Sequence, residues 1–462
     1  MQIIRRLKQI TLLGGDLLTF FGALFFAVSL RKLHLTDLDT FILNARFFFP
    51  LFFLWITVNY INGLYDLDDS LKGKKLWRRN LETGIISLIV GVVYFYLIPI
   101  NNFSPKTILV ITAIFGYCFI AIWRTLFNSF VRLESLKTNV LYVGYCPEIA
   151  EMIELTENNP AKGYKTVGII DPHKKINQKE YSFDIYTELN KIRPVVSTKR
   201  VNLVVIAPEL QRKEEALQEL YELLFWKTRI TDLASFYESL TGRVPPMVFS
   251  ESWFLEHLGH SEKPIYTKLK NATDFFIGII LFIVFVLLTP FIALAIKINS
   301  KGPVFYKQKR VGKYGEVFYL YKFRSMVSLT AEGSAEKDGA QFASKNDTRI
   351  TTVGKFLRKT RLDEIPQCMN LLKREVTFIG PRPERPEIVK ALEEKMPYYS
   401  LRHIIKPGLT GWAAIHQNYT DNLETSLQKL QYDLYYIKNR SFLLDISIIL
   451  RTINVILRLR GQ

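Results

Sequence analysis

Cysteine is scarce: Cys118, Cys146 and Cys368 are the only three in 462 residues, and none stands at the paired spacing of a metal knuckle. That excludes a disulfide framework and a structural zinc site; six scattered histidines do not supply one either. A reducing compartment is the expectation. The glycine-rich dinucleotide fingerprint is missing as well, because the strand-like NVLYVGY runs into GYCPEI, which keeps only Gly144 of the pattern and places Pro147 where a phosphate cradle needs an amide. No small-residue cleavage site follows the first apolar run, so that run is expected to be retained. Acid is the last shortage. Lys and Arg number 61 against 43 Asp and Glu, a net charge of +18, which calls for an anionic partner: nucleic acid, acidic lipid or a phosphorylated substrate.

What the chain has in excess is apolar residues, 48% of the total with Phe 33 and Tyr 23, gathered into long runs. Residues 10–30, 47–64, 84–100 and 108–127 each approach the ~20 apolar residues of a spanning helix. Cations flank their ends: Arg5, Arg6 and Lys8; Lys72, Lys74, Lys75, Arg78 and Arg79; then Arg124, Arg132 and Lys137. By the positive-inside rule these ends are cytoplasmic, with Arg31 and Lys32 a small dissent. Residues 1–137 therefore predict four transmembrane helices.

From residue 138 to 262 short β-rich runs alternate with polar helical patterns, which predicts a parallel, Rossmann-like α/β domain on the cytoplasmic side. With its fingerprint incomplete, a structural or regulatory module is favoured over a cofactor site. A fifth apolar run, 273–298, is interrupted by Thr289 and Pro290. Proline removes a helical hydrogen bond and kinks the chain. A run that crossed would export everything after it; one that enters and turns back at Pro290 keeps the basic C-terminal region inside. Residues 441–460 have helical apolar spacing broken by charge, and an interfacial helix is preferred over a core-facing one.

The chemistry gathers in TRLDEIPQ, residues 360–367, where two adjacent acids sit in a basic tract. Between residues 301 and 375, sixteen cations face eight acids. A helix restarting at Pro366 would put Asp363 and Glu364 at its N-terminus, where free amides and the dipole favour anions. Arg358 and Arg361 are expected to keep Asp363 ionised for attack on an electrophile, and a divalent cation would relieve the repulsion within the pair. In EVFYLYKFRSM, strand alternation sets Lys322 and Arg324 on one face as a phosphate clamp. In IGPRPERPE, Arg382 stands between two prolines that stiffen its backbone. KPGLTGWAAIHQ packs Gly408 and Gly411 about Thr410, a turn that approaches a ligand closely or is simply a turn.

YKFRSM, LRKTRLDEIPQ, GPRPE, KPGLTGW and YDLYYI, in that order behind a proline-broken apolar helix, resemble the bacterial sugar transferase family, the polyprenyl-phosphate phosphoglycosyl transferases of the single-membrane-helix type. The resemblance covers residues 268–462, and the preceding parts look like its long-form members. It implies a mainly α catalytic domain with a re-entrant helix broken at Thr289 and Pro290. Asp363 would be the nucleophile on the β-phosphate of a UDP-sugar, releasing UMP, and undecaprenyl phosphate would then take the phosphosugar from it. Glu364 would act beside it and hold Mg²⁺, while Lys322, Arg324, Arg358, Arg361 and Arg382 would bind the substrate phosphates. The setting implied is the inner, cytoplasmic membrane with its lipids, in exopolysaccharide, capsule or O-antigen synthesis; a homodimer is a further expectation. Nucleic acid is not expected, since phosphates of the substrates explain the basic tract.

Two rivals stand beside this reading. A metal-dependent glycosyltransferase would need an acidic metal motif, for which Asp66-Leu67-Asp68 with Asp69 is the one cytoplasmic lookalike. A membrane-anchored scaffold gripping anionic lipid would leave the paired acids unexplained.

Overall fold

The computed structural model describes residues 2–65, 74–97, 106–131, 137–176, 181–226, 228–258, 263–328, 349–417 and 422–457. Residues 66–69, 72 and 132, and with them the Asp66-Leu67-Asp68 motif, lie outside the described residues. The chain divides into two compact units, Met1–Leu240 and Thr241–Gln462.

The first unit begins with four long apolar helices, α1 (Gln2–Lys32), α2 (Leu38–Ile61), α3 (Lys74–Leu97) and α4 (Lys106–Val131). Asp37 starts α2 by accepting from the Thr40 amide at 3.0 Å. Their shared core is aromatic, with Phe20, Phe48, Phe52 and Trp55 fully buried. All four are long and apolar enough to cross a bilayer. Among them the buried Asp16 carboxylate accepts from Arg124 Nη2 at 2.5 Å, the Tyr65 hydroxyl at 2.8 Å and Asn59 Nδ2 at 3.2 Å. Arg124 is thus no flanking cation, as its place at the end of an apolar run suggested, but one half of a buried ion pair. Pairing is what makes either charge tolerable there, since an unpaired one in hydrocarbon costs several kcal/mol, on the order of 3.

The rest of this unit alternates β1 (Thr138–Val143), α5 (Pro147–Glu157), β2 (Tyr164–Ile170), β3 (Asp184–Tyr186), α6 (Ile192–Thr198), β4 (Leu203–Ile206), α7 (Glu214–Glu222), β5 (Arg229–Asp232) and α8 (Leu233–Thr241). The strands form one parallel sheet in the order β3-β2-β1-β4-β5, the doubly wound arrangement of a Rossmann-like domain. At its switch point, between β1 and β4, Gly144 has φ +97°, a Cβ there would lie 2.5 Å from Ala207 Cβ, and Glu209, paired with Lys175 at 2.8 Å, sits 3.6 Å from the same point.

The second unit contains α9 (Glu251–Leu258), α10 (Pro264–Asn299), the hairpin β6 (Phe305–Val311) and β7 (Val317–Phe323), α11 (Thr352–Thr360), α12 (Cys368–Leu372), β8 (Thr377–Ile379), α13 (Pro386–Glu393), β9 (Gly408–Thr410), α14 (Trp412–His416), α15 (Leu423–Asn439) and α16 (Phe442–Leu457). Val244, Phe254 and Leu258 belong to its core with Tyr399, Leu434 and Ile437, so the stretch before α10 packs here rather than with the parallel sheet.

The helix α10 buries Asp274, Gly278, Phe285, Ile292 and Ile296 along one face and leaves Phe276, Ile280, Leu287, Phe291 and Leu294 exposed on the other. The helix runs through Thr289 and Pro290 as one hydrogen-bonded element, with the proline inside it. A proline in a helix interior, with its lost hydrogen bond and ring clash, costs about 3 kcal/mol, and Phe285, Ile292 and Ile296 offset it by packing with Phe323, Leu357 and Cys368. Thr289 Oγ1 donates to the Phe285 carbonyl at 2.6 Å. The final helix, α16, buries Asp445 and Ile448 in the core and bonds Thr410 through Thr452 at 2.9 Å, while Phe442, Leu443, Ile446 and Ile453 remain exposed.

Candidate active site

Four segments build the acidic site. Strand β7 brings Leu320 and Lys322 to one face, the first buried and the second reaching the acids. Helix α11 is capped by Thr351, whose hydroxyl accepts from the Gly354 amide at 3.0 Å. A Cβ on Gly354 would lie 1.8 Å from the Ser325 carbonyl, so only glycine lets α11 approach this closely and set Arg358 Nε 2.9 Å from Ser325 Oγ. The helix ends at Arg361, whose φ of 59° reverses the chain into a 3₁₀ turn, Leu362–Gln367. Asp363 and Glu364 stand in this turn. The following α-helix starts at Cys368, not at Pro366.

Glu364 is the hub. Its Oε1 accepts from Lys322 Nζ at 3.0 Å and from Arg382 Nη2 at 2.8 Å, and its Oε2 faces Arg361 Nη1 at 3.5 Å. Burial pushes its pKa up, but Lys322, Arg382 and Arg361 together outweigh burial and hold the carboxyl well below its ordinary range. Asp363, 7% exposed, goes the other way. Burial and the Glu364 charge lift it to about 6 against the pull of Lys322, Arg358 and Arg361. The expected depression of Asp363 by Arg358 and Arg361 is therefore overruled by desolvation and by its neighbour. The outcome is a divided pair: one carboxylate fixed as an anion, the other poised near neutrality.

The structure brings Lys322, Arg358, Arg361 and Arg382 around the acids but removes Arg324 from them. Arg324 is 2% exposed; its Nη2 donates to the Ser300 carbonyl at 2.8 Å and its Nη1 to the Lys301 carbonyl. It closes the C-terminal end of α10, where helix carbonyls lack partners. Strand alternation puts it on the right face, but β7 ends at Phe323 and the chain has already turned.

Arg382 is delivered by the loop after β8, which pairs in parallel with β9. Gly380 N donates to the Thr410 carbonyl and Gly408 N to the Pro381 carbonyl, both at 2.8 Å. A Cβ on Gly408 would stand 2.1 Å from Gly380 N, and one on Gly411 2.2 Å from Gly380 O. The glycines of KPGLTGW thus serve close approach to the GPRPE backbone. Asp274, which pattern reading passed over, accepts from Thr377 Oγ1 at 2.5 Å and the Phe378 amide at 3.0 Å, tying α10 to β8. The signal was available: an acid at the mouth of an apolar run is costly unless it has an assigned partner.

For Mg²⁺, no group of three acidic, histidine or cysteine ligands occurs among the described residues. The acids fit the ion in the manner common for Mg²⁺, one or two carboxylates with substrate phosphate oxygens completing the shell.

The chain matches the bacterial sugar transferase family over residues 265–459 and a CoA-binding domain family over residues 60–227. It is 40% identical over 226 residues to the UDP-N-acetylgalactosamine-undecaprenyl-phosphate N-acetylgalactosaminephosphotransferase of Aeromonas hydrophila, covering 48% of this chain and 50% of that protein. With the UDP-glucose:undecaprenyl-phosphate glucose-1-phosphate transferase of Xanthomonas campestris pv. campestris it shares 44% identity over 163 residues, 35% of this chain and 33% of the relative. The protein of the same name from Klebsiella pneumoniae is 30% identical over 345 residues, 71% of this chain and 70% of its own. The match thus spans about half of the Aeromonas protein and a third of the Xanthomonas one.

Proposed function

The chain belongs to the bacterial sugar transferase family, and from that premise we propose that it moves a sugar 1-phosphate from a UDP-sugar to undecaprenyl phosphate by way of Asp363. The observation that carries this reading is the cluster itself: four cations around two carboxylates, one of them a buried aspartate brought to about 6.

An Asp363 oxygen attacks the β-phosphorus of the donor, the bond from that phosphorus to the bridging oxygen breaks, and UMP departs with the electron pair. The phosphosugar is left as an acyl phosphate. A phosphate oxygen of the lipid acceptor then attacks the same phosphorus and Asp363 leaves as carboxylate. Lys322, Arg361 and Arg382 exchange their hold on Glu364 for the donor phosphates, and Arg358 adds positive charge beside Asp363. Glu364 would hold Mg²⁺, which neutralises charge on the phosphate oxygens.

The reading also places the catalytic unit on the cytoplasmic face, with α10 lying in the inner leaflet and not crossing it. Support comes from the two ends of α10: Asp274 binds β8, and Asn299 Oδ1 accepts from the Val353 amide at 3.2 Å, so one domain holds both. A helix that crossed the bilayer would draw this polar domain into hydrocarbon.

The test is to supply membranes containing the protein with undecaprenyl phosphate and a panel of UDP-sugars, following the nucleotide released and the mass of the peptide bearing Asp363. UMP and a phosphosugar adduct on that peptide are expected. Release of UDP, or turnover with the aspartate never modified in rapid-quench samples, would sink the proposal.

A further inference from the structure

YDLYYI was marked by resemblance alone, and its Asp433 belongs to a second ion cluster beneath the Arg382 loop. Arg402, 1% exposed, donates from Nε and Nη2 to Asp433 Oδ2 at 3.1 and 2.7 Å, and from Nη1 to the Tyr399 hydroxyl at 2.6 Å. Its Nη2 also reaches the backbone carbonyl of Arg382, at 2.9 Å. The next two carbonyls of the loop are taken as well. Arg310 Nη1 donates to Pro383 O at 3.0 Å, and the Val311 amide donates to Glu384 O at 2.9 Å. The Glu384 carboxylate pairs with Lys429 and stands 3.6 Å from Arg310 and 4.0 Å from Arg402.

Three consecutive carbonyls, 382 to 384, are therefore fixed by donors from elsewhere, two of them guanidinium groups, the buried one of Arg402 and the part-buried one of Arg310. Packed apolar residues of similar volume would commonly be as stable as such buried ions, or more so. What apolar residues cannot do is donate to a carbonyl. Arg382 itself meets Glu364 through a flexible side chain, so the position of its backbone decides where the guanidinium falls, and an error of about 1 Å in a positioning group costs on the order of 10²-fold in rate.

We propose that Arg402 and Asp433 form a positioning unit that acts on the reaction through Arg382, by holding the loop at which the donor phosphates are received. This rests on the proposed function, in which Arg382 contacts the donor. The pair bonds the Arg382 backbone and neither carboxylate of the acidic turn.

The experiment is a double-mutant cycle on the full-length protein in native membranes, reading kcat/KM for the UDP-sugar from UMP release and KM for undecaprenyl phosphate. Arg402→Lys and Asp433→Asn are each combined with Arg382→Ala. Each single change is expected to lower donor kcat/KM by about 10- to 100-fold with the acceptor KM unchanged, and to have little further effect, under about twofold, once Arg382 is alanine. An equal loss in both backgrounds would mean general weakening of the fold and overturn the proposal, as would no loss at all. Should either variant fail to accumulate, Lys429→Met removes a partner of Glu384 at the edge of the cluster, and the same dependence on Arg382 is expected of it. Asp363→Asn serves as the separate control: if it remained active the transfer mechanism would fall, whatever the cycle returned.

Discussion

Two charged clusters in this protein look alike on paper and differ in balance. Among the membrane helices one acid, Asp16, meets one guanidinium, Arg124, and Tyr65 and Asn59 donate to the same carboxylate oxygen. At the acidic turn, two acids face Lys322, Arg358, Arg361 and Arg382. The first cluster is neutral and closed. The second holds two cations more than its acids require and keeps Lys322 and Arg382 partly open to solvent. Balance serves the fold, whereas surplus awaits an anion. The difference teaches that the sign of a leftover charge, and not the number of ion pairs, separates a staple from a receiving site.

The sharpest way to break that contrast is at Asp363. Asp363→Asn is expected to reduce UMP release by about 10³-fold or more, while the protein keeps its folded state by size-exclusion and thermal melting. Removing surplus charge comes next: Arg382→Ala or Lys322→Ala should lower kcat/KM for the donor by about 10²-fold. The pH profile should fall by about tenfold per unit below about pH 6, because protonation removes the nucleophile as pH drops through the raised value of Asp363. An alkaline-shifted limb that persists in Glu364→Gln would contradict that assignment, since losing the neighbouring charge must move the limb to lower pH. The balanced cluster gives the smallest effect on turnover. Arg124→Met leaves Asp16 buried without its cation and should destabilise the helical bundle by about 3 kcal/mol, seen as a lower melting temperature, with kcat/KM per folded molecule changed by less than about twofold.

Much of the architecture was legible because it is periodic. Four apolar runs, an alternation of strands with polar helices, and a pair of acids among cations are local patterns, and local patterns survive in a single sequence. Lys322, Arg361 and Arg382 were found for the same reason, each standing in a short motif of its own. Arg324 was misread because alternation tells which way a side chain points only while the strand lasts. Arg124 was misread because its partner lies 108 residues away, a separation that no spacing rule covers. Arg402 and Asp433, 31 residues apart, escaped likewise. The acidity of Asp363 went wrong in sign because neighbouring cations can be read from sequence and burial cannot.

The core that holds Val244, Phe254 and Leu258 beside Tyr399 and Leu434 sets where this chain can be cut. A shortened protein beginning at Thr241 keeps every side chain assigned to the transfer together with the apolar plug beneath α15, while one beginning at Lys263 leaves a hollow under that helix. The natural seam for engineering a minimal transferase therefore falls about twenty residues ahead of the membrane segment, in a stretch whose composition gives no hint of a border.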